Sequence, residues 1–137
     1  MTEEEKKTKL IKWGTEITHF LPQEFDSPDA PGSGLEFMNL EFVKILDKGR
    51  AATGFSWSIN SGYRTEEHNK AVGGQGPEHC QGNAADIRTE NGLQMMAIVK
   101  WAISVGINRI GIGNNYVHLG FSFNLPQNVM WTYYGGL

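Results

Sequence analysis

The chain is poor in cysteine, in clustered basic charge and in long apolar runs, and each shortage excludes a class of protein. Cys80 is the only cysteine among 137 residues, so no internal disulfide can form. The net charge is -3 and no basic field stands out, which argues against nucleic-acid binding. No stretch approaches the ~20 apolar residues of a membrane-spanning helix, so we expect no membrane span.

The length fits one domain of ordinary size. We therefore predict a single domain over residues 1–137 that works as a monomer. The charged start of the chain, residues 1–15, is expected to be frayed or to form an accessory segment. This start lacks the apolar core of a signal peptide. We expect synthesis in the cytoplasm, and action outside the cell would then need a separate means of release.

Apolar periodicity and turn residues predict an α+β domain. The predicted helices cover residues 36–52, 65–72 and 91–105, with Thr65 and Asn91 as N-caps. The predicted strands cover residues 55–59, 84–87, 108–113 and 116–123, the last two joined as a hairpin. We expect a small antiparallel sheet to carry the functional site and to pack with two or three helices.

Two of the four histidines have neighbours that suit a metal site. His79 and Asp86 are separated by Gly82 and two alanines, so the chain can turn and leave room for an ion. His118 lies in an alternating strand pattern. Two imidazoles and one carboxylate form a catalytic-type zinc site, in which zinc activates water and polarises a carbonyl. On spacing alone, ordinary surface histidines and a non-haem iron site remain alternatives, although the usual His-x-Asp spacing of the iron site is absent.

Five short motifs follow one another along the chain. They are Ser61-Gly-Tyr-Arg64, His68-Asn69, Val72-Gly-Gly74, His79-x-x-Gly82-x-Ala84-x-Asp86 and Val117-His-Leu119. In order and spacing they resemble the zinc D-alanyl-D-alanine carboxypeptidases and peptidoglycan endopeptidases. These LAS metallopeptidases are kin to the metal-binding domain of hedgehog proteins. The resemblance spans about residues 19–134 and implies a hedgehog/D-Ala-D-Ala peptidase-like fold.

The resemblance also implies roles. It implies a Zn²⁺ ion held by three side chains, those of His79, Asp86 and His118. Arg64 matches the arginine that binds substrate or stabilises the polarised carbonyl oxygen, a role that suits a planar, permanently charged donor. Tyr63 and Trp131 are further candidates for substrate binding. The implied partner is a peptidoglycan stem peptide cut at an amide bond, either D-Ala-D-Ala or L-Ala-D-Glu. Small size and the missing leader suit a phage lysin, which would act at the cell wall after release from the cytoplasm or be carried in a virion.

Three positions depart from the family pattern. The family places an acidic general base three residues before the second histidine, where this chain has Asn115. An amide cannot take a proton from water, and loss of a general base typically costs about 10²–10⁴ in rate. Pro77 replaces a serine, and Gly120 replaces an acidic residue. We therefore predict a weakly active or inactive peptidase, with Glu78 as a rival base. The alternative is a catalytically silent zinc-containing protein that binds peptidoglycan or another peptide.

Overall fold

The computed structural model describes residues 1–133, which form five α-helices, two short 3-10 helices and a five-stranded sheet. Helices α1 to α5 span Glu3–Glu16, Ser33–Phe37, Leu40–Thr53, Glu66–Ala71 and Gly92–Ser104. Strands β1 to β5 span Ile59–Ser61, Ala84–Arg88, Arg109–Ile112, Tyr116–Gly120 and Val129–Thr132. The predicted α+β class is confirmed. The single domain stays a prediction, and its last residues, 134–137, lie outside the described residues.

Side-chain caps explain where the helices begin. The predicted helix over residues 36–52 is interrupted at Asn39, whose side chain accepts a hydrogen bond from the backbone N–H of Glu41 and so starts α3. An N-cap residue has non-helical backbone angles, and for this reason α2 ends before it. Thr65 and Asn91 cap α4 and α5, as predicted.

Residues 1–15, expected to be frayed or accessory, carry most of α1. Thr2 and Glu5 form a capping box, in which each side chain accepts a hydrogen bond from the backbone N–H of the other residue. Trp13 anchors the helix, because its ring is buried and its indole Nε1 donates to the carbonyl oxygen of Phe20 at 2.8 Å. The T-x-x-E spacing at the start is the sequence signal that indicates this helix.

The sheet has the strand order β1-β2-β4-β3-β5. The pairs β1–β2, β2–β4 and β4–β3 are antiparallel, whereas β5 runs parallel to β3. The expected antiparallel sheet is corrected to a mixed one, because the segment 121–128 returns the chain to the start of β3 and β5 then runs parallel to it. The strand expected over residues 55–59 is also largely wrong. Trp57 is buried against Trp101 in the core, and pairing begins only at Ile59.

Alternation along the central strands separates the core from the functional face. Ala85 and Ile87 in β2, and Val117 and Leu119 in β4, are fully buried in the apolar core. The residues between them, Asp86 and His118, point to the opposite face of the sheet. None of the described helices is long and apolar enough to cross a membrane.

Candidate metal centre

One residue from each strand contributes to a single row across the functional face. In cross-strand register, Ser61 lies opposite Asp86, Asp86 opposite His118, His118 opposite Gly111, and Gly111 beside Trp131. Directly opposed residues in a sheet project to the same face. The register of the sheet therefore places Asp86 and His118 side by side.

His79 reaches this row from outside the sheet. It begins a one-turn 3-10 helix, His79–Gln81, that ends at Gly82 with φ of 72°. A Cβ on Gly82 would lie only 1.9 Å from the carbonyl oxygen of Phe37, so this close turn requires glycine. The ring Nδ1 of His79 donates to the carbonyl oxygen of Gly62 at 2.7 Å, which leaves Nε2 facing Asp86.

The three predicted ligands come together. Oδ1 of Asp86 lies 3.3 Å from Nε2 of His79 and 2.9 Å from Nδ1 of His118. One ligand atom from each residue lies within 4.8 Å of the others, and all three residues are buried. Two nitrogens and one carboxylate oxygen are a donor set that zinc accepts. The side chains present therefore fit a metal ion.

Arg64 lies beside the same carboxylate. Its Nη2 donates to Oδ2 of Asp86 at 3.2 Å, its Nε to Oγ of Ser61 at 2.8 Å and its Nη1 to Oδ1 of Asn69 at 3.1 Å. Gly74 permits the last contact, since a Cβ there would lie 2.0 Å from that amide oxygen. Asn69 thus orients Arg64.

A buried ion pair adjoins His118. The carboxylate of Glu78 accepts from Nε and Nη2 of Arg109 at 2.9 and 3.1 Å, and from Nε2 of His118 at 3.1 Å. The motifs of the sequence mark Glu78 only as a rival base and predict no role for Arg109. Strand alternation could have found it, because Arg109 lies two residues before Gly111 and so shares the functional face.

Hydrogen bonds outweigh the effect of burial on the charges of this site. Burial alone raises the pKa of Asp86, but hydrogen bonds from His118 and His79 hold that pKa well below its usual value. Burial also raises the pKa of Glu78, but hydrogen bonds from His118 and Arg109 lower that pKa overall. Burial lowers the pKa of His118, whereas its bonds to Asp86 and Glu78 raise it overall. Both carboxylates are therefore ionised at neutral pH.

An open cavity of about 720 Å³ lies over these residues. The glycine-rich segment Gly73–Gly76 lines it, as do Trp131 and Tyr133 in and after β5. The ring centroids of Trp131 and His118 lie 5.3 Å apart. A Cβ on Gly111 would lie 2.7 Å from the indole nitrogen of Trp131, so glycine makes room for that ring.

Other residues singled out in the sequence do not line this cavity. Asn115 is exposed in the turn between β3 and β4, where its carbonyl oxygen accepts from the backbone N–H of Thr89 at 2.8 Å. Tyr63 stacks on Phe37 with 4.7 Å between the ring centroids. Cys80, next to His79, is half-buried and is not part of the group of candidate metal ligands among the described residues.

Comparison with known proteins gives two results. No curated protein matches the chain. A family model described as Peptidase M15 matches residues 18–120, a range that contains Arg64 and the three candidate ligands but stops before β5. This match covers most of the chain, and the His–Asp–His group that it contains has the donors of a zinc site. The chain therefore belongs to the Peptidase M15 family of zinc metallopeptidases.

Proposed function

We propose that this protein is a zinc-dependent hydrolase of peptidoglycan stem peptides, with His79, Asp86 and His118 as the metal ligands. The observation that carries the proposal is the convergence of these three side chains in an open cavity beside Arg64. Membership of the Peptidase M15 family supports the reaction class. The stem peptide as substrate is the finer part of the proposal and comes from the motif resemblance.

Bound zinc would activate a water molecule and polarise the carbonyl group of the scissile amide. The chain's own residues would hold the peptide. A guanidinium has five N–H donors, and Ser61, Asn69 and Asp86 take three of those of Arg64. Its remaining donors can bind a substrate carboxylate or carbonyl oxygen. Trp131 offers an aromatic face to the peptide on the same side of the cavity as His118.

We propose that turnover is slow, because the carboxylates that line the cavity in the described part of the chain are already engaged. Glu78 binds Arg109 and His118. Asp86 binds Arg64 and faces both candidate histidine ligands. Absence of a free general base typically costs about 10²–10⁴ in rate.

The same observation favours a second candidate function. A protein with the complete ligand set and a substrate-binding arginine, but no free base, would bind peptidoglycan peptides without cutting them. In that case the cavity would recognise the peptide through Arg64 and Trp131 alone. The two candidates differ in product formation and not in metal content.

The test is product analysis by mass spectrometry after zinc-loaded protein is incubated with purified peptidoglycan, with the zinc content of the same sample measured. His118→Ala is the matched inactive control. Stoichiometric zinc with released peptides that the control does not release would support the hydrolase and identify the bond. Stoichiometric zinc with peptide binding but no products would favour the binding protein. A protein that takes up no zinc would refute both.

A further inference from the structure

Asp47, Glu78 and Asp86 are the buried carboxylates among the described residues, and the proposed reaction does not use Glu78. It directly precedes His79 in the chain, and its carboxylate binds Arg109 and His118. Oε1 accepts from Nε2 of His118 at 3.1 Å, and both carboxylate oxygens accept from the guanidinium of Arg109. The side chain of Arg109 is itself mostly buried and lies over the Trp131 ring at 5.3 Å.

A glycine makes this arrangement possible. Gly120 follows His118 by two residues on the same strand face and lies opposite Arg109 in the β3–β4 register. A Cβ on Gly120 would lie 2.1 Å from Oε2 and 2.6 Å from Oε1 of Glu78. The carboxylate of Glu78 therefore occupies the space in which a side chain at position 120 would have to lie.

The two ring nitrogens of His118 have different partners. A neutral imidazole has one N–H donor and one lone-pair acceptor. Both partners are carboxylates, which can only accept, so the ring donates from Nε2 to Glu78 at 3.1 Å and from Nδ1 to Asp86 at 2.9 Å. A metal ion held by Asp86 would take the Nδ1 lone pair of the neutral ring, and Glu78 would keep the remaining proton on Nε2. A hydrogen bond from a ligating histidine to a carboxylate orients the ring and strengthens its metal bond.

We propose that Glu78, held in place by Arg109, is a positioning residue that fixes His118 as an Nδ1 metal ligand. This inference depends on the metal centre of the proposed function. It also explains why residue 120 is glycine. The motif resemblance implies an acidic residue at position 120, and in this chain Glu78 places its carboxylate there instead. An aspartate at 120 would bring a carboxylate to the same neighbours, His118 and Arg109, provided that Glu78 is removed.

The first test is zinc affinity, measured by competition with a chromophoric chelator. We expect Glu78→Ala to weaken Zn²⁺ binding by about 10- to 100-fold, the usual effect of losing such a partner. Glu78→Gln keeps the shape but not the charge and is expected to weaken binding by about 10-fold, the lower end of that range. Glu90→Ala is the control, because Glu90 also pairs with an arginine but its side chain is 66% exposed, against 4% for Glu78. It should leave the affinity unchanged.

The second test is rescue. The double variant Glu78→Ala with Gly120→Asp should recover most of the zinc affinity of wild type. Its Co²⁺-substituted form should also recover the absorption spectrum of Co²⁺-substituted wild type.

The third test is ¹⁵N NMR of His118. In zinc-loaded wild type it should show the proton on Nε2, and Glu78→Ala should change that signal. If wild type binds zinc and both Glu78 variants bind it with the affinity of wild type, the positioning role is refuted and the proposed function stands. A double variant that binds zinc as weakly as Glu78→Ala would also refute the positioning role. A wild type that binds no metal would refute both the positioning role and the proposed function.

Discussion

The carboxylate of Glu78 fills the space beside the backbone of Gly120, where an added Cβ would lie 2.1 Å from Oε2. The end of a glutamate side chain can usually move aside. Here it can do so only by leaving both Arg109 and His118, which hold it in a buried position. Residue 120 and residue 78 are therefore coupled, although one lies in the sheet and the other in a loop.

Gly120→Ala should therefore be destabilising and should weaken zinc binding. Overpacking of a buried site typically costs about 1–3 kcal/mol, which urea unfolding can measure. Gly14→Ala is a suitable control, because an added Cβ at this helical glycine meets nothing within 4 Å. It should stabilise the protein by about 0.5–1 kcal/mol. Unchanged stability and zinc affinity in Gly120→Ala would show that the Glu78 carboxylate does not occupy this space.

Asn115→Asp should change peptide release by less than about twofold, well below the effect of a general base. The residue matches the general-base position of the family, but its side chain is exposed and does not line the cavity. An aspartate there would be solvated and remote from the scissile bond. The check is the rate of peptide release from peptidoglycan by zinc-loaded wild type and variant. A gain of about 10²-fold or more would mean that this residue acts in the site after all.

Asp47→Ala should lower the free energy of unfolding by about 1–3 kcal/mol, the cost of leaving donors without a partner. Asp47 is buried on α3 and accepts from the backbone N–H groups of Thr18 and His19 at 2.9 and 2.8 Å. These bonds tie the segment after α1 to the core helix. Lys48→Ala, at an exposed position on the same helix, should stay within about 0.5 kcal/mol of wild type in the same urea titration. Equal effects of the two variants would contradict this role for Asp47.

Asp29→Asn should lower the free energy of unfolding at pH 7. The difference from wild type should become smaller as the pH falls into the acid range. Hydrogen bonds from Ser27 and Thr65 lower the pKa of Asp29 below its ordinary value of 3.8. A carboxyl whose pKa is lower in the folded state stabilises the fold above its unfolded pKa, and this contribution is lost as the pH falls through the folded pKa. Urea unfolding at several pH values from 7 down to 3 measures this difference in the free energy of unfolding. A difference that stays constant over this range would contradict the lowered pKa of Asp29.

The starts of three helices and the central hairpin were predictable from the sequence because their signals are local. Asn39, Thr65 and Asn91 each accept hydrogen bonds from N–H groups two or three residues ahead. Asn39 was nevertheless missed, because the apolar stripe on both sides favoured one continuous helix. The hairpin of β3 and β4 follows from alternation on either side of the short Asn114-Asn115 turn, although neither asparagine has a positive φ.

The parallel strand β5 depends on contacts between distant residues. Val129 and Trp131 are partly buried and alternate with exposed Met130 and Thr132, so the strand pattern is present in the sequence. Its partner and direction are decided by the register with β3, where Val129 pairs with Arg109. A parallel partner cannot be inferred from a local turn, because parallel strands are joined by long connections.

By itself, the sequence determined the helix caps, the hairpin and the three residues that could hold a metal. Motif order and spacing are properties of the chain, and the small residues between His79 and Asp86 are part of that spacing. Only the tertiary structure decided that Glu78 meets Arg109, which is 31 residues away, and fills the space at Gly120. The reason is that cross-strand register and side-chain volume, which no local pattern encodes, determine which buried charges become partners.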